Sequence, residues 1–351
     1  MCLRRMGTVS GARVAVAVAG AGALGLATAL ALARAGCAVT VFDPASPGDN
    51  ASGVAAGMLA PGAEALFDPA SSTHLPLLRR ALALWPPFVV GLDLSMIRDD
   101  LRMRGPGDWL AGLETKARAL GLDLAMGEDG DLLLTGDWRL EARPALASIR
   151  AAAQRLGARF EPLAVVDFAD GRLTLADGAH RSFDHLVLAT GAGERTGRLA
   201  PELEHLSPIK GQMLRLTGGA PKGDVLRGPG VYLCPGPSPA VGATMEFGRD
   251  DLVADPALTS PLLDAARVLW AHLSGVDAAI HVGVRAETPD GLPMVGASAR
   301  PGVWLAVGAR RNGWLLAPLV AGLVASYLTG KDPGPDAARL DARRFEREPV
   351  A

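Results

Sequence analysis

Residues 13–43 begin Arg13-Val14-Ala15-Val16-Ala17-Val18-Ala19 and turn through Gly20-Ala21-Gly22-Ala23-Leu24-Gly25. They end Ala38-Val39-Thr40-Val41-Phe42-Asp43. The uncharged Val/Ala run predicts a buried parallel strand over Arg13–Ala19. The GxGxxG opens a helix over Ala23–Ala35, which Gly36 ends. A second strand, Ala38–Phe42, delivers Asp43. Strand, turn, helix, strand and acid together make the frame of a dinucleotide-binding βαβ unit. Gly20 permits the tight turn, Gly22 lets backbone approach a pyrophosphate, and Gly25 lets helix and strand pack closely. The helix N-terminus offers unpaired N–H groups to phosphates. Asp43 is placed to accept hydrogen bonds from ribose hydroxyls. This motif alone does not separate NAD from FAD.

The same segment could be misread as a membrane span or signal core. Val14–Ala33 is uncharged, with Arg4, Arg5 and Arg13 before it and Arg34 after it. Its Ala/Gly-rich composition, spaced glycines and following strand argue against both readings. Cytoplasmic localisation and no membrane partner are therefore expected. The 351 residues allow two domains or one large unit with insertions. A net charge of −2 argues against a nucleic-acid partner. The 49% hydrophobic fraction excludes a disordered chain. Cys2, Cys37 and Cys234 form no CxxC pair, and the histidines lack ligand spacing, so neither disulfides nor a metal site are expected. Glycine, at 43 residues, is in excess, whereas tyrosine occurs only as Tyr232 and Tyr327.

Later blocks narrow the cofactor. Ser52-Gly53-Val54-Ala55-Ala56-Gly57-Met58-Leu59-Ala60-Pro61 is a run of small residues through which backbone N–H groups can reach a ligand. Phe183–Thr190 reads as a strand, followed by Gly191-Ala192-Gly193. Pro208-Ile209-Lys210-Gly211-Gln212-Met213 follows. Val231-Tyr232-Leu233-Cys234-Pro235 and Val241-Gly242-Ala243-Thr244-Met245-Glu246 suggest a hairpin. Gly283 to Pro293 reads GVRAETPDGLP, and Gly308 to Pro318 reads GARRNGWLLAP. Together these blocks resemble the FAD-dependent D-amino-acid oxidase superfamily. Within it they are most similar to glycine oxidases of thiamine (thiazole) biosynthesis. The resemblance runs from about Arg13 to Phe345.

The resemblance implies an α/β chain: an FAD/NAD(P)-binding Rossmann-like domain with an inserted α+β substrate domain built on an antiparallel sheet. The expected FAD-binding domain is discontinuous, over 12–85, 143–205 and 285–345. The substrate domain is expected over 86–142 and 206–284. Local signals agree in part. Trp85-Pro86-Pro87 breaks a helix starting near Leu75. Arg143-Pro144 precedes an amphipathic helix over Ala145–Leu156, capped by Gly157. Leu132–Leu134 and Leu173–Leu175 read as strands, Leu315–Leu328 as a helix, and 329–338 as a loop.

The implied cofactor is non-covalent FAD. Its expected contacts are Gly20, Gly22, Ala23, Leu24, Gly25, Asp43, Pro44, Ala51, Ser52, Ala56, Gly57, Met58, Val165, Val166, Thr190, Gly191, Ala192, Arg310, Arg311, Asn312, Gly313, Trp314 and Leu315. Arg310, an extra arginine, could equally be solvated. The implied reaction is oxidative deamination of glycine or a small amino acid, with hydride transfer from Cα to flavin, imine hydrolysis and reoxidation by dioxygen to peroxide. Arg285 corresponds to a carboxylate-binding arginine, since a guanidinium matches a carboxylate in bidentate fashion; an interdomain ion pair is its other reading. Arg311, Tyr232 and Met245 complete the expected substrate contacts, with core packing the other reading for the last two. No acid or base is assigned, and a homo-oligomer is possible. Departures from the family pattern are Gly230 for histidine, Gly236 for arginine, Asp43 for glutamate and Lys210 for arginine. Two alternatives stay open: a D-amino acid dehydrogenase with a non-oxygen acceptor, and a non-catalytic flavoprotein partner.

Overall fold

The computed structural model describes residues 13–127, 129–217 and 223–347. Cys2, Arg4, Arg5 and the expected domain start at residue 12 lie outside them. The chain forms β1 (Ala15–Ala19), α1 (Ala23–Arg34) and β2 (Ala38–Phe42) in the predicted order. The helix ends one residue earlier than expected, with Ala35 as its C-cap. β1 lies between β2 and His185–Leu188, parallel to both. The six-stranded sheet is completed by Arg159–Glu161 beside β2, and by Val303–Val307 and Met294–Ala297 beyond His185–Leu188. Only the Met294–Ala297 pairing is antiparallel. The strand expected over Phe183–Thr190 is trimmed to His185–Leu188.

Both faces of this sheet are covered, which explains why β1 needs no polar residue. Val16 and Val18 point into a core with α1, the helix Ala142–Arg155 and the helix Gly313–Leu328. Ala17 and Ala19 point the other way, toward Phe168, Leu173 and Leu188. The helix Gly313–Leu328 is apolar all round because α1 packs beside it over much of its length. Tyr327 stacks on Trp304 at 5.7 Å, a packing role. The helix expected to follow Arg143-Pro144 instead starts at Ala142. Pro144 is tolerated because its missing N–H falls in the first turn, where no intrahelical partner exists. The helix Leu75–Ala83 ends before Trp85-Pro86-Pro87, which begins a separate helical turn.

A second, nine-stranded sheet holds Leu101–Met103, Leu124–Met126, Leu132–Leu134, Ser207–Leu216, Val225–Gly228, Val231–Cys234, Ala240–Gly242, Glu246–Phe247 and Ala278–Glu287. All its pairings are antiparallel except that of Val225–Gly228 with Leu101–Met103. The predicted hairpin is present, with Tyr232 opposite Gly242. We propose the discontinuous two-domain division on this distribution of strands. The boundary placed at residue 285 falls inside the strand Ala278–Glu287, which carries Arg285 from the second sheet toward the first. A small third sheet joins Met58–Leu59 to Trp138–Arg139 and Ile97–Arg98, tying the two parts together.

The turn at the head of α1 tolerates no side chain. A Cβ at Gly25 would sit 2.0 Å from the Gly20 carbonyl oxygen. Gly25→Ala must therefore push α1 away from the turn, costing about 1–3 kcal/mol. Gly112→Ala, in the exposed helix Gly107–Leu120 with open space at its Cβ, is expected to be neutral or stabilising. Thermal unfolding of both variants checks the opposite signs.

Candidate functional site

A cavity of about 530 Å³ opens at the head of α1, along the edge of the six-stranded sheet. One wall is Gly20, Gly22, Ala23 and Leu24, with Asp43 and Asn50-Ala51-Ser52 beside it. Gly20 has φ +107°, and a Cβ there would meet the Ala189 carbonyl oxygen at 2.3 Å. Glycine is thus obligatory where this turn packs against the strand end at Ala189. Asp43 Oδ2 accepts from Ala21 N at 2.6 Å and Oδ1 from Ala45 N at 2.8 Å. These bonds fix the carboxylate and leave each oxygen a lone pair for a ligand hydroxyl. Ser52 Oγ accepts from Ala23 N at 2.9 Å, holding the segment Ala51–Val54 against the helix head. Thr190-Gly191-Ala192-Gly193 lines the cavity, and Thr190 Oγ1 is buried without a partner. An orphaned hydroxyl, a glycine cradle and a helix N-terminus are the features a dinucleotide satisfies.

The opposite wall is Val284-Arg285-Ala286, Val307 to Arg311, Gly313 and Trp314. Trp314 Nε1 donates to the Ser52 carbonyl at 3.0 Å, joining the two walls. Asp250 and Leu252 complete the rim. Lys210 anchors that rim: fully buried, it donates to Asp251 Oδ1 and the Val253 carbonyl, each at 2.6 Å. A lysine in place of the family arginine therefore still has a tethering role.

Ala55, Arg285, Arg311 and Trp314 are shared with a smaller cavity of about 140 Å³. It is also lined by Tyr232, Met245, Arg227, Glu64 and Ala56-Gly57-Met58. Two glycines make room for the large side chains. A Cβ at Gly211 would lie 2.2 Å from Arg285 Nη1, and one at Gly242 would lie 2.5 Å from Tyr232 Oη. Arg285 reaches only Met245 Sδ, at 3.8 Å, and makes no ion pair among the described residues. The interdomain salt bridge is thus absent. Burial pushes the Arg285 guanidinium down and the Tyr232 phenol up from their ordinary values. Arg311 donates to Glu64 Oε1 at 3.1 Å, and that carboxylate raises the Arg311 pKa.

Arg310 corrects one expectation. It is 10% exposed rather than solvated, and binds Asp68 and Glu287. It takes φ +49°, held there by both carboxylates and by its N–H to the Ala286 carbonyl. Burial alone would raise the Asp68 carboxyl. Its hydrogen bond from Ser71 and the charges of Arg310 and Arg311 bring it below the usual range. Several expected cofactor contacts do not line either cavity. Gly25 and Leu315 sit behind the walls, Pro44 is exposed, and Val165-Val166 belong to a three-stranded sheet. Cys234 also lies outside both linings, and burial pushes its thiol up to about 12.

Two residues went unread in the sequence. Arg227 pairs with Tyr232 across the two-residue Pro229-Gly230 turn, so a Pro-Gly signal before Tyr232 marked its place. Glu64 lies in the helix Pro61–Phe67 with no local signal.

Comparison with known proteins agrees with this geometry. The model of the FAD dependent oxidoreductase family, DAO, matches residues 15–327. A glycine oxidase from Geobacillus kaustophilus is 29% identical, over 87% of this chain and 90% of that protein. The crystal structure of glycine oxidase from Geobacillus kaustophilus superposes with a TM-score of 0.82 at 27% identity, covering 95% of this chain and 99% of that one. The bifunctional protein ThiO/ThiG of Trichormus variabilis is 34% identical over 47% of this chain and 26% of that protein.

Asp137 supports the helix carrying Glu64, accepting from Gly62 N at 3.0 Å and Ala63 N at 2.9 Å. Burial pushes its carboxyl up to about 6 from an ordinary 3.8. The folded state therefore binds this proton more tightly than the unfolded chain. The stability it contributes is full below about pH 4 and is lost as pH rises through about 6. Urea midpoints from pH 4 to 7 are expected to fall less steeply in Asp137→Asn than in the parent.

Proposed function

The chain belongs to the DAO family of FAD-dependent oxidoreductases, and on that premise we propose that it deaminates glycine or another small amino acid oxidatively. FAD would lie along the large cavity and the amine in the small one. The observation that carries this reading is Arg285: a half-buried guanidinium with no carboxylate partner among the described residues, at the junction of the two cavities. A buried cation left unpaired is costly, and a substrate carboxylate relieves that cost. FAD, held by the Gly20–Leu24 turn, Asp43 and Thr190-Gly191-Ala192, would supply the redox chemistry as acceptor of the Cα hydride and donor of two electrons to dioxygen.

The residues of this chain bind and orient. Arg285 clamps the carboxylate through two parallel N–H bonds. The Tyr232 hydroxyl donates a further bond to it. Glu64 holds Arg311 in place beside the substrate, and Met245 packs against Arg285. The helix Gly313–Leu328 points its N-terminus at the large cavity, favouring negative charge there. The bound amine gives up its hydride from the neutral form and loses an N–H proton as C=N forms, and the imine takes up water and releases ammonia, or methylamine in the case of sarcosine. Placement of this reaction in thiamine thiazole synthesis is supported by the similarity to the ThiO/ThiG protein. Among the described residues no helix is long and apolar enough to cross a membrane.

Purified protein is expected to carry FAD and to form peroxide from glycine, sarcosine or D-alanine. Failure of all three, and of iminodiacetate and D-aspartate as well, to bleach the flavin anaerobically sinks the proposal. Bleaching without peroxide in air, but with turnover on an artificial acceptor, would make the enzyme a dehydrogenase. Arg285→Met is expected to lower kcat/KM by at least about tenfold to a hundredfold, the scale of a lost charge-assisted pair. Steady-state kinetics with the FAD-loaded variant checks this.

A further inference from the structure

The small cavity holds more positive charge than one carboxylate neutralises. Its charged lining residues are Glu64, Arg227, Arg285 and Arg311. Glu64 and Arg311 pair with each other. Arg285 is taken by the substrate's first carboxylate under the function proposed above, on which this inference rests. Arg227 remains. Its guanidinium carbon sits 4.1 Å over the Phe67 ring and 5.6 Å from the centroid of the Tyr232 ring. Its Nε is buried without a hydrogen-bond partner, and it makes no ion pair among the described residues.

Two aromatic rings hold this guanidinium in place, so it is preorganised. Burial, then the like charge of Arg311, push it down to about 10. The protein thus keeps a second cation in an unfavourable setting, with no carboxylate paired to it among the described residues. The sheet fixes where that cation stands. Arg227, Tyr232, Gly242 and Met213 form one cross-strand row, and all four line the cavity. Arg285 enters from another strand of the sheet, opposite Ile209. The two free guanidiniums therefore come from separate strands, with Tyr232 a neighbour of both.

We propose that Arg227 binds a second carboxylate, so that the preferred substrate is a small amine bearing two carboxylates. Acidic amino acids and N-carboxymethyl amino acids belong to this class. The redox step is unchanged: the Cα–H leaves as hydride, the nitrogen loses a proton as C=N forms, and water completes the hydrolysis. Dioxygen takes the electrons.

Two matched pairs test this with the FAD-loaded protein. Iminodiacetate differs from sarcosine, and D-aspartate from D-alanine, by one added carboxylate. The second-order rate constant of anaerobic flavin reduction is expected to rise at least about tenfold with the added carboxylate in one pair or both, the scale of one charge-assisted hydrogen bond. In Arg227→Met that ratio is expected to fall to about one or below, and Arg227→Lys to restore part of it. Diglycolate, which has no amine to oxidise, is expected to perturb the flavin spectrum of the parent at lower concentration than acetate. Two unimproved pairs, or a ratio that survives in Arg227→Met, overturn the proposal. Should Arg227→Met fail to retain FAD, the parent's matched pairs decide alone. If none of these amines reduces the flavin, the oxidase reading beneath fails instead.

Discussion

Everything at the large cavity depends on how closely α1 can approach the turn that precedes it. With no Cβ at Gly25 or Gly20, helix, turn and the strand ending at Ala189 meet backbone to backbone. The glycine turn at the helix head then borders the cavity directly. Asp43 and Ser52 lock this arrangement through bonds to Ala21 N and Ala23 N. The binding surface is therefore rigid before any ligand arrives, which lowers the ordering cost of binding.

The same economy of side chains recurs at the small cavity. Gly211 and Gly242 leave space for Arg285 and Tyr232 on a sheet that would otherwise be filled. What occupies the space is charge that the protein does not compensate. Arg310 and Arg311 have carboxylate partners, whereas Arg285 and Arg227 have none among the described residues. Neighbouring arginines thus divide into structural and available ones according to whether Glu64, Asp68 or Glu287 reaches them.

Much of this was legible in the sequence because the relevant constraints are local. The βαβ unit is specified by residues adjacent in the chain: apolar alternation, a Gly-rich turn and an acid. The elements that shifted, among them the strand at His185–Leu188 and the helix at Ala142–Arg155, moved only at their ends. Motif resemblance carried Arg285, Tyr232 and Met245 to one cavity. It also carried Val165 and Val166, which sit in the strand Val165–Ala169 and line neither cavity. Arg310 illustrates the same gap. Its neighbours in sequence left it between cofactor contact and solvent, and Asp68, far away in the chain, closes on it only in the fold.

By itself the sequence determined the dinucleotide cradle, the order of strands and helices around it, and the residue types suited to grip a carboxylate. These follow from backbone sterics and hydrophobic periodicity, which act over a few residues. Only the tertiary structure decided which arginines are spent on internal carboxylates and which remain for a ligand. That division depends on contacts such as Glu64 with Arg311 and on the stacking of Arg227 over Phe67. Electrostatic pairing in a buried site is set by distance in space, and distance in space is what separation along the chain does not encode.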